Sequence, residues 1–155
     1  MQTGHIHSDN VRAVIGGTEG ADIFNMETGT RLVNLRDSEQ TNYVLFLTNP
    51  DRVLYADWNG MLHITDMEGE PVLSLNSFVN NPPAMALLNN GKELITGEYY
   101  EKTLSVHDLL TGDVKYSFVE HRSTLFNCLA VHPNNSIVLA YNQNGLFYIL
   151  KNTHN

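Results

Sequence analysis

The chain has 155 residues, 42% of them hydrophobic, and a net charge of −8 at neutral pH. This length supports one ordinary domain with a sizeable core, and the composition excludes a disordered chain. Its nine lysines and arginines are scattered, which excludes nucleic acid as a partner, and the acidity also argues against an anionic membrane surface. No apolar run reaches the roughly 18 residues of a membrane span, and the N-terminus carries no signal core, so we expect a cytoplasmic protein.

Short apolar runs separated by turns follow one another along the chain. They are rich in Val, Ile, Leu, Tyr and Phe, the composition of β-strands. The first eight runs lie at about 4–8, 11–17, 21–25, 30–35, 43–48, 52–57, 61–66 and 71–75. The remaining runs lie at about 84–88, 92–97, 103–108, 114–119, 125–132, 136–141 and 146–151. Sustained helical spacing is absent, so we predict at least 14 strands and almost no helix.

Two markers repeat with the period of a propeller blade. In each group of strands, the third strand ends at a polar residue. These residues are Asn25, Asp66, Asp108 and Lys151, and they are separated by 41, 42 and 43 positions. A tight turn follows the first three, and its glycine is Gly29, Gly69 or Gly112. We expect positive φ at most of these glycines. A four-stranded unit with this period predicts propeller blades in preference to an ordinary antiparallel sandwich.

The ends of these units resemble the motifs of WD-repeat propellers in degenerate form. The place of the family's Trp-Asp pair is taken by Phe24-Asn25, Thr65-Asp66, His107-Asp108 and Leu150-Lys151. Glu120-His121 is similar to the Gly-His pair that opens a blade, and the stretch LFNCLAVHPNNSIVLAYNQNGLFYILKN resembles the family's blade line. The resemblance covers nearly the whole chain without one intact motif.

This resemblance implies an all-β fold of WD-repeat-like propeller blades, each of four antiparallel strands, in an incomplete ring. We expect one propeller segment over 1–155, with blades at about 4–37, 41–77, 82–120 and 121–155, the last without its outer strand. Resembling propellers usually have seven blades, so we expect part of a larger propeller. Uncovered blade faces should be apolar, and the isolated chain is therefore expected to be a homodimer or another assembly and not a closed monomer.

The resemblance also implies that certain turns gather on one face where partners bind. The expected partner-binding residues are Trp58, Glu98, Tyr99, Tyr100, Glu101, Arg122 and Asn142. Trp and Tyr are enriched at binding hot spots, although packing of these rings on the next blade is an equal alternative. Structural roles are expected for Gly29, Gly69, Gly112, Asp66, Asp108 and His121.

Residue patterns for catalysis and metal binding are absent from the sequence. It contains no G-x-S-x-G, no phosphate-binding P-loop and no H-E-x-x-H. His5 and His7 lie on one side of a predicted strand, but a zinc site needs three or four ligands. The single cysteine, Cys128, lies in the apolar run LFNCLAV and is expected to be buried and unreactive. We expect no enzyme activity, no metal and no cofactor.

Three functions remain open at the level of the sequence. The leading hypothesis is a non-catalytic scaffold that binds a protein or peptide, with a basic partner favoured by the acidic charge. A second is a propeller enzyme or small-ligand sensor with a central pocket, against which the apolar first strands argue. A third is a regulatory WD-repeat tail of a multidomain scaffold or NTPase.

Overall fold

The structure is a computed structural model, and it describes residues 3–35, 40–48, 50–75, 84–97, 103–119 and 126–151. Within these ranges the chain forms fifteen β-strands and a single turn of 3-10 helix, Asn89–Gly91. The prediction of an all-β chain with at least 14 strands is confirmed. The predicted strand positions also agree with the structure to within about two residues.

The strands form antiparallel sheets in chain order. The first sheet contains β1 (Thr3–Ile6), β2 (Arg12–Gly17), β3 (Gly20–Asn25) and β4 (Arg31–Leu35). The second contains β5 (Thr41–Leu47), β6 (Arg52–Asp57), β7 (Leu62–Thr65) and β8 (Pro71–Leu75). The third contains β9 (Ala84–Leu88), β10 (Glu93–Gly97), β11 (Thr103–Asp108) and β12 (Val114–Val119). The fourth contains β13 (Phe126–Val131), β14 (Ile137–Asn142) and β15 (Phe147–Lys151).

Each sheet is a meander in which every strand pairs with the next strand along the chain. This is the strand order of a propeller blade, so the sheets are propeller-like. In the described ranges three sheets have four strands and the fourth has three. The chain divides into two compact units, Met1–Asn81 with the first two sheets and Pro82–Asn155 with the last two.

Each unit has its own hydrophobic core between two sheets. In the first unit the core residues are Val14, Ala21, Ile23, Leu35, Val44, Phe46, Val53 and Tyr55. In the second unit they are Ala84, Leu88, Ile95, Leu104, Val106, Phe126, Leu129, Val138 and Ala140. Because side chains alternate along a strand, these positions define the face of each sheet that meets its neighbour within the unit.

Positive φ angles support the turns that the glycine spacing predicts. Gly29, Gly69 and Gly112 have φ angles of 70°, 92° and 81°. Residues other than glycine rarely adopt this conformation, and the expectation for these three glycines is confirmed.

The expectation of a buried Cys128 is wrong, because this residue is exposed. The pairing register of β13 with β14 shifts between Phe126 and Cys128. This bulge directs Phe126 and Leu129 into the core, where they are 2% and 9% exposed, and leaves Cys128 on the opposite face.

Candidate functional site

The residue that ends the third strand builds the turn behind it in three of the sheets. Asn25 accepts the backbone N–H groups two and three positions further on, at 2.9 and 3.0 Å. Asp66 accepts the backbone N–H groups two and four positions further on, at 3.0 and 2.8 Å. Asp108 accepts the backbone N–H groups two and three positions further on, at 2.8 and 3.3 Å. The N–H of Leu110 is the main cause that lowers the pKa of Asp108, with a further contribution from Lys115. Asp66 and Asp108 therefore act in turn construction.

Asn142 lies inside a turn of a second kind, between the second and third strands of its sheet. Its side chain is fully buried, and its Oδ1 accepts the N–H groups of Asn144 and Leu146 at 3.1 and 3.0 Å. Asp57 builds the same turn in the second sheet through the N–H four positions on, at 3.0 Å. The structure thus places Asn142 away from the surface on which it was expected to contact a partner, since its amide oxygen is committed to the turn.

Trp58 follows Asp57 directly and presents its ring to solvent. The residue is 52% exposed, and its backbone N–H donates to the carbonyl oxygen of Gln40 at 2.8 Å. The backbone is therefore fixed while the side chain is accessible, which is the arrangement that a contact residue needs.

Six other residues with predicted roles lie outside the described ranges. They are Glu98, Tyr99, Tyr100 and Glu101, together with His121 and Arg122.

Three side chains of the second sheet are ordered like a hydrolytic triad. His63 Nδ1 lies 3.3 Å from Ser74 Oγ, and His63 Nε2 lies 3.1 Å from Asp57 Oδ2. However, Ser74 is opposite His63 within the paired strands β7 and β8 and not on an exposed elbow. The other carboxylate oxygen of Asp57 holds its own turn.

The same register position carries a polar pair in two further sheets. Asn34 Nδ2 donates to Asp22 Oδ1 at 2.6 Å in the first sheet, and the hydroxyls of Ser105 and Ser117 lie 3.1 Å apart in the third. A pair that recurs with different chemistry joins the third strand to the fourth, and so we assign the Ser74–His63 contact to strand pairing.

His107 joins the two central strands of the third sheet. It is 1% exposed, and its Nε2 lies 2.9 Å from Thr96 Oγ1. Burial lowers the pKa of His107 to about 4, so its ring is neutral at physiological pH.

His7 takes part in an ionic cluster within the first unit. Its Nδ1 lies 3.1 Å from Asp9 Oδ2 and its Nε2 lies 3.4 Å from Asp51 Oδ1. Arg12 contacts the same two carboxylates, at 2.6 and 3.3 Å. The N–H of Val11 is the main cause that holds the pKa of Asp9 well below its usual range. The cluster joins the first turn of the first sheet to the first turn of the second.

No group of three or more His, Cys, Asp or Glu side chains in the described part of the chain is placed to hold a metal ion. Across the same residues, no helix is both long and apolar enough to cross a membrane.

The fourth sheet carries an apolar face of the kind expected for an uncovered blade, although the sequence analysis did not name the residues that form it. Its side chains form two cross-strand rows, which we call the open face: Cys128, Tyr141 and Phe147, and Ala130, Leu139 and Ile149. Phe147 and Ile149 are 73% and 67% exposed. The sequence feature that indicates this face is the run FYIL in β15. It is apolar on both sides of the strand, whereas a strand with one solvent-exposed side would alternate apolar and polar residues.

The equivalent face of the third sheet is buried. Leu104 and Val106 lie four and two positions before Asp108, as Phe147 and Ile149 do before Lys151. Leu104 and Val106 are only 2% and 6% exposed. Both belong to the core that the third sheet shares with the fourth. The open face is therefore the kind of surface that elsewhere in this chain packs on another sheet.

A cleft of about 250 Å³ lies in the second unit, next to β15. Its apolar walls are formed by Leu88, Ile95, Val106, Phe118, Val138 and Leu150. Lys115 and Lys151 also line it, and the Lys115 ammonium contacts Glu93 and Asp108. The bond to Glu93 is the main cause that raises the pKa of Lys115.

No protein-family model matches the chain, and no curated protein matches it.

Proposed function

We propose that the chain is a non-catalytic protein-interaction module and that the open face is its binding surface. The observation that carries this proposal is the exposure of Phe147 and Ile149, which are 73% and 67% exposed at positions whose counterparts Leu104 and Val106 are buried in the third sheet. Burial of apolar surface contributes about 25 cal/mol per Å², and contiguous apolar patches on soluble proteins mark interaction sites. The two rows of the open face carry no charge, although Lys151 follows Ile149 on the same side of β15, and they fit an apolar protein surface better than a polar substrate.

Trp58 is a second proposed contact, in the first unit. Its backbone is fixed by the bond to Gln40, and its ring is half exposed. A large ring on a fixed backbone loses little conformational entropy on binding, which is why Trp is frequent at hot spots.

The blades are proposed to be of the WD-repeat type. Support comes from the strand ends, where His107-Asp108 takes the place of the Trp-Asp pair: His107 bonds Thr96 on the neighbouring strand, and Asp108 builds the following turn. The steps of 41, 42 and 43 residues between equivalent positions add to this support.

Site-specific crosslinking tests the interaction proposal. A photo-reactive residue is placed at Ile149, and at Leu110 as a control, because Leu110 is 84% exposed but lies in a turn outside the open face. A protein captured from Ile149 alone is then purified, and its affinity for the chain is measured directly.

The affinity of that partner distinguishes a specific surface from a generally apolar one. Ile149→Asp is expected to weaken binding at least about tenfold, since it places a charge in the contact, whereas Leu110→Asp should leave the Kd within about twofold. Equal effects of the two substitutions would remove the open face from the proposed function.

A further inference from the structure

The outermost described strand of the fourth sheet differs in composition from the outermost strands of the other sheets. Those strands carry a proline, a charge or a small polar residue: Arg31 and Asn34 in β4, Pro71 and Ser74 in β8, and Lys115 and Ser117 in β12. Such residues protect a sheet edge from pairing with other chains. β15 carries its one charge, Lys151, at its end, and its other residues are Phe147, Tyr148, Ile149 and Leu150, without a proline or a small polar residue. Its composition is that of an interior strand.

The residue that ends β15 is also unlike its counterparts. Asn25, Asp66 and Asp108 accept backbone N–H groups and so bring the chain back as the fourth strand. Lys151 stands at this position in the fourth sheet, and an ammonium has no acceptor. Lys151 therefore cannot form the side-chain-supported turn by which Asn25, Asp66 and Asp108 lead into a fourth strand.

The other sheets indicate the side chains that a strand beside β15 should carry. Opposite the equivalents of Tyr148 lie Asn34, Ser74 and Ser117. An apolar residue flanks each of them on both sides, in the pairs Val33 and Leu35, Leu73 and Leu75, and Tyr116 and Phe118. The pattern is apolar, small polar, apolar.

The cleft and the lysine at the strand end add two further requirements. Leu150 lines the cleft, and a residue directly opposite it on a new strand shares its face, so that side chain would enter the cleft. The walls are apolar, so this residue should be apolar as well. Lys151 is exposed beyond it and favours an acidic residue at the end of the segment.

We propose that the fourth sheet binds an extended segment of another polypeptide chain, antiparallel to β15, with the pattern acidic, apolar, apolar, small polar, apolar, allowing one bulged residue. The segment adds the fourth strand by main-chain hydrogen bonds, and its side chains give the specificity. Pairing of β15 with the β15 of a second copy would place a bulky side chain opposite Tyr148, which does not match this pattern. The inference rests on the proposed function as an interaction module, but it uses the edge of β15 and not the open face.

A peptide copied from the third sheet provides the probe. Residues Asp113–Val119, DVKYSFV, have the required pattern, because Val114, Tyr116, Ser117 and Phe118 lie opposite the equivalents of Leu150, Ile149, Tyr148 and Phe147. The labelled peptide is titrated with the full chain and followed by fluorescence anisotropy, at a chain concentration at which the protein sediments as a monomer. Hydrogen exchange with unlabelled peptide is expected to slow the amides of Phe147–Lys151 by at least about tenfold.

Two N-methylated peptides test the strand geometry. One is methylated at the residues copied from Tyr116 and Phe118 and the other at those copied from Ser117 and Val119, all beyond the bulge, so that in an antiparallel pair only one set of N–H groups faces β15. Only one of the two peptides should lose binding. Equal loss for both, or no saturable binding of the parent peptide up to about 1 mM, would overturn the proposal.

A charge exchange tests the register. Lys151→Glu is expected to weaken the peptide about three- to tenfold, and a peptide with lysine at its first position should recover this loss. An unchanged Kd in both cases would contradict the register. In the variant with Phe147→Asp and Ile149→Asp, which does not associate through the open face, β15 amides that become protected without peptide as the chain concentration rises would assign the edge to a second copy, and so would also overturn the proposal.

One variant separates this inference from the proposed function. Leu139 lies on the open face but in β14, away from the edge. Leu139→Asp should therefore abolish binding of an open-face partner and leave the peptide Kd within about twofold. Loss of peptide binding in this variant would show that the peptide contacts the face and would contradict strand addition.

Discussion

The third and fourth sheets share one core, yet equivalent side chains on them meet opposite environments. Val106 is 6% exposed and Ile149 is 67% exposed, although both are β-branched residues two positions before the end of a third strand. The third sheet turns that face towards the core of its unit, whereas the fourth sheet turns it away from this core. The difference teaches that the sequence of a sheet specifies which faces can be buried, while a neighbouring sheet decides whether they are.

The largest expected effect comes from placing the same charge at both positions. Val106→Asp puts a carboxylate into the core and should lower the free energy of unfolding by about 3–5 kcal/mol. Ile149→Asp leaves its carboxylate in water and should change it by less than about 1 kcal/mol. Urea denaturation followed by circular dichroism measures both, and similar losses would contradict the assigned difference in burial.

The second effect is a pH dependence that arises in the third sheet. His107 has a pKa lowered to about 4, against about 6.5 in an unfolded chain, so the unfolded state binds more protons between these values. Its contribution to stability is complete above pH 6.5 and is lost as the pH falls towards 4, by about 3 kcal/mol. The fourth sheet has Leu150 at the equivalent position, and this residue does not titrate and so contributes no pH dependence to the stability.

Denaturation at pH 7 and pH 4.5 provides the measurement. His107→Gln keeps a hydrogen-bonding group but does not titrate, and this variant should lose clearly less stability between the two pH values than the parent chain. A variant with the same pH dependence as the parent would contradict a neutral, buried His107.

A smaller effect is expected in the glycine turn that follows β11 of the third sheet. Gly112→Val forces a β-branched residue into a φ near 81° and should lower the unfolding free energy by about 1 kcal/mol or more. Leu110→Val, in the same turn but 84% exposed, should change it by less than about 0.5 kcal/mol. No difference between these variants would argue that the turn does not depend on glycine.

The smallest effect is expected at Trp58. Its ring is half exposed, so Trp58→Ala should change the unfolding free energy by less than about 1 kcal/mol. The fluorescence of this single tryptophan should also lie near the wavelength of a solvated indole. A strongly blue-shifted emission or a large loss of stability would place the ring in a core and end its role as a contact.

Much of the fold could be predicted because local chemistry repeats along the chain. Apolar alternation gives the strands, and the Asn or Asp residue with its glycine gives the turns, as at Asp108 and Gly112. Three features of the fourth sheet could not be predicted. A bulge beside Phe126 exposes Cys128, and Asn142 is buried because its amide serves a turn. The residues of the open face could not be named, because alternation does not tell whether a particular face is covered.

Sedimentation of the purified chain tests most directly whether the open face is an uncovered contact surface. At micromolar concentration we expect the parent chain to sediment as a species larger than its 17.4 kDa monomer, because a second copy covers the face when no other partner is present. The variant with Phe147→Asp and Ile149→Asp should sediment as a monomer at the same concentration. A parent chain that remains a stable, non-aggregating 17.4 kDa species, indistinguishable from the variant, would contradict the account.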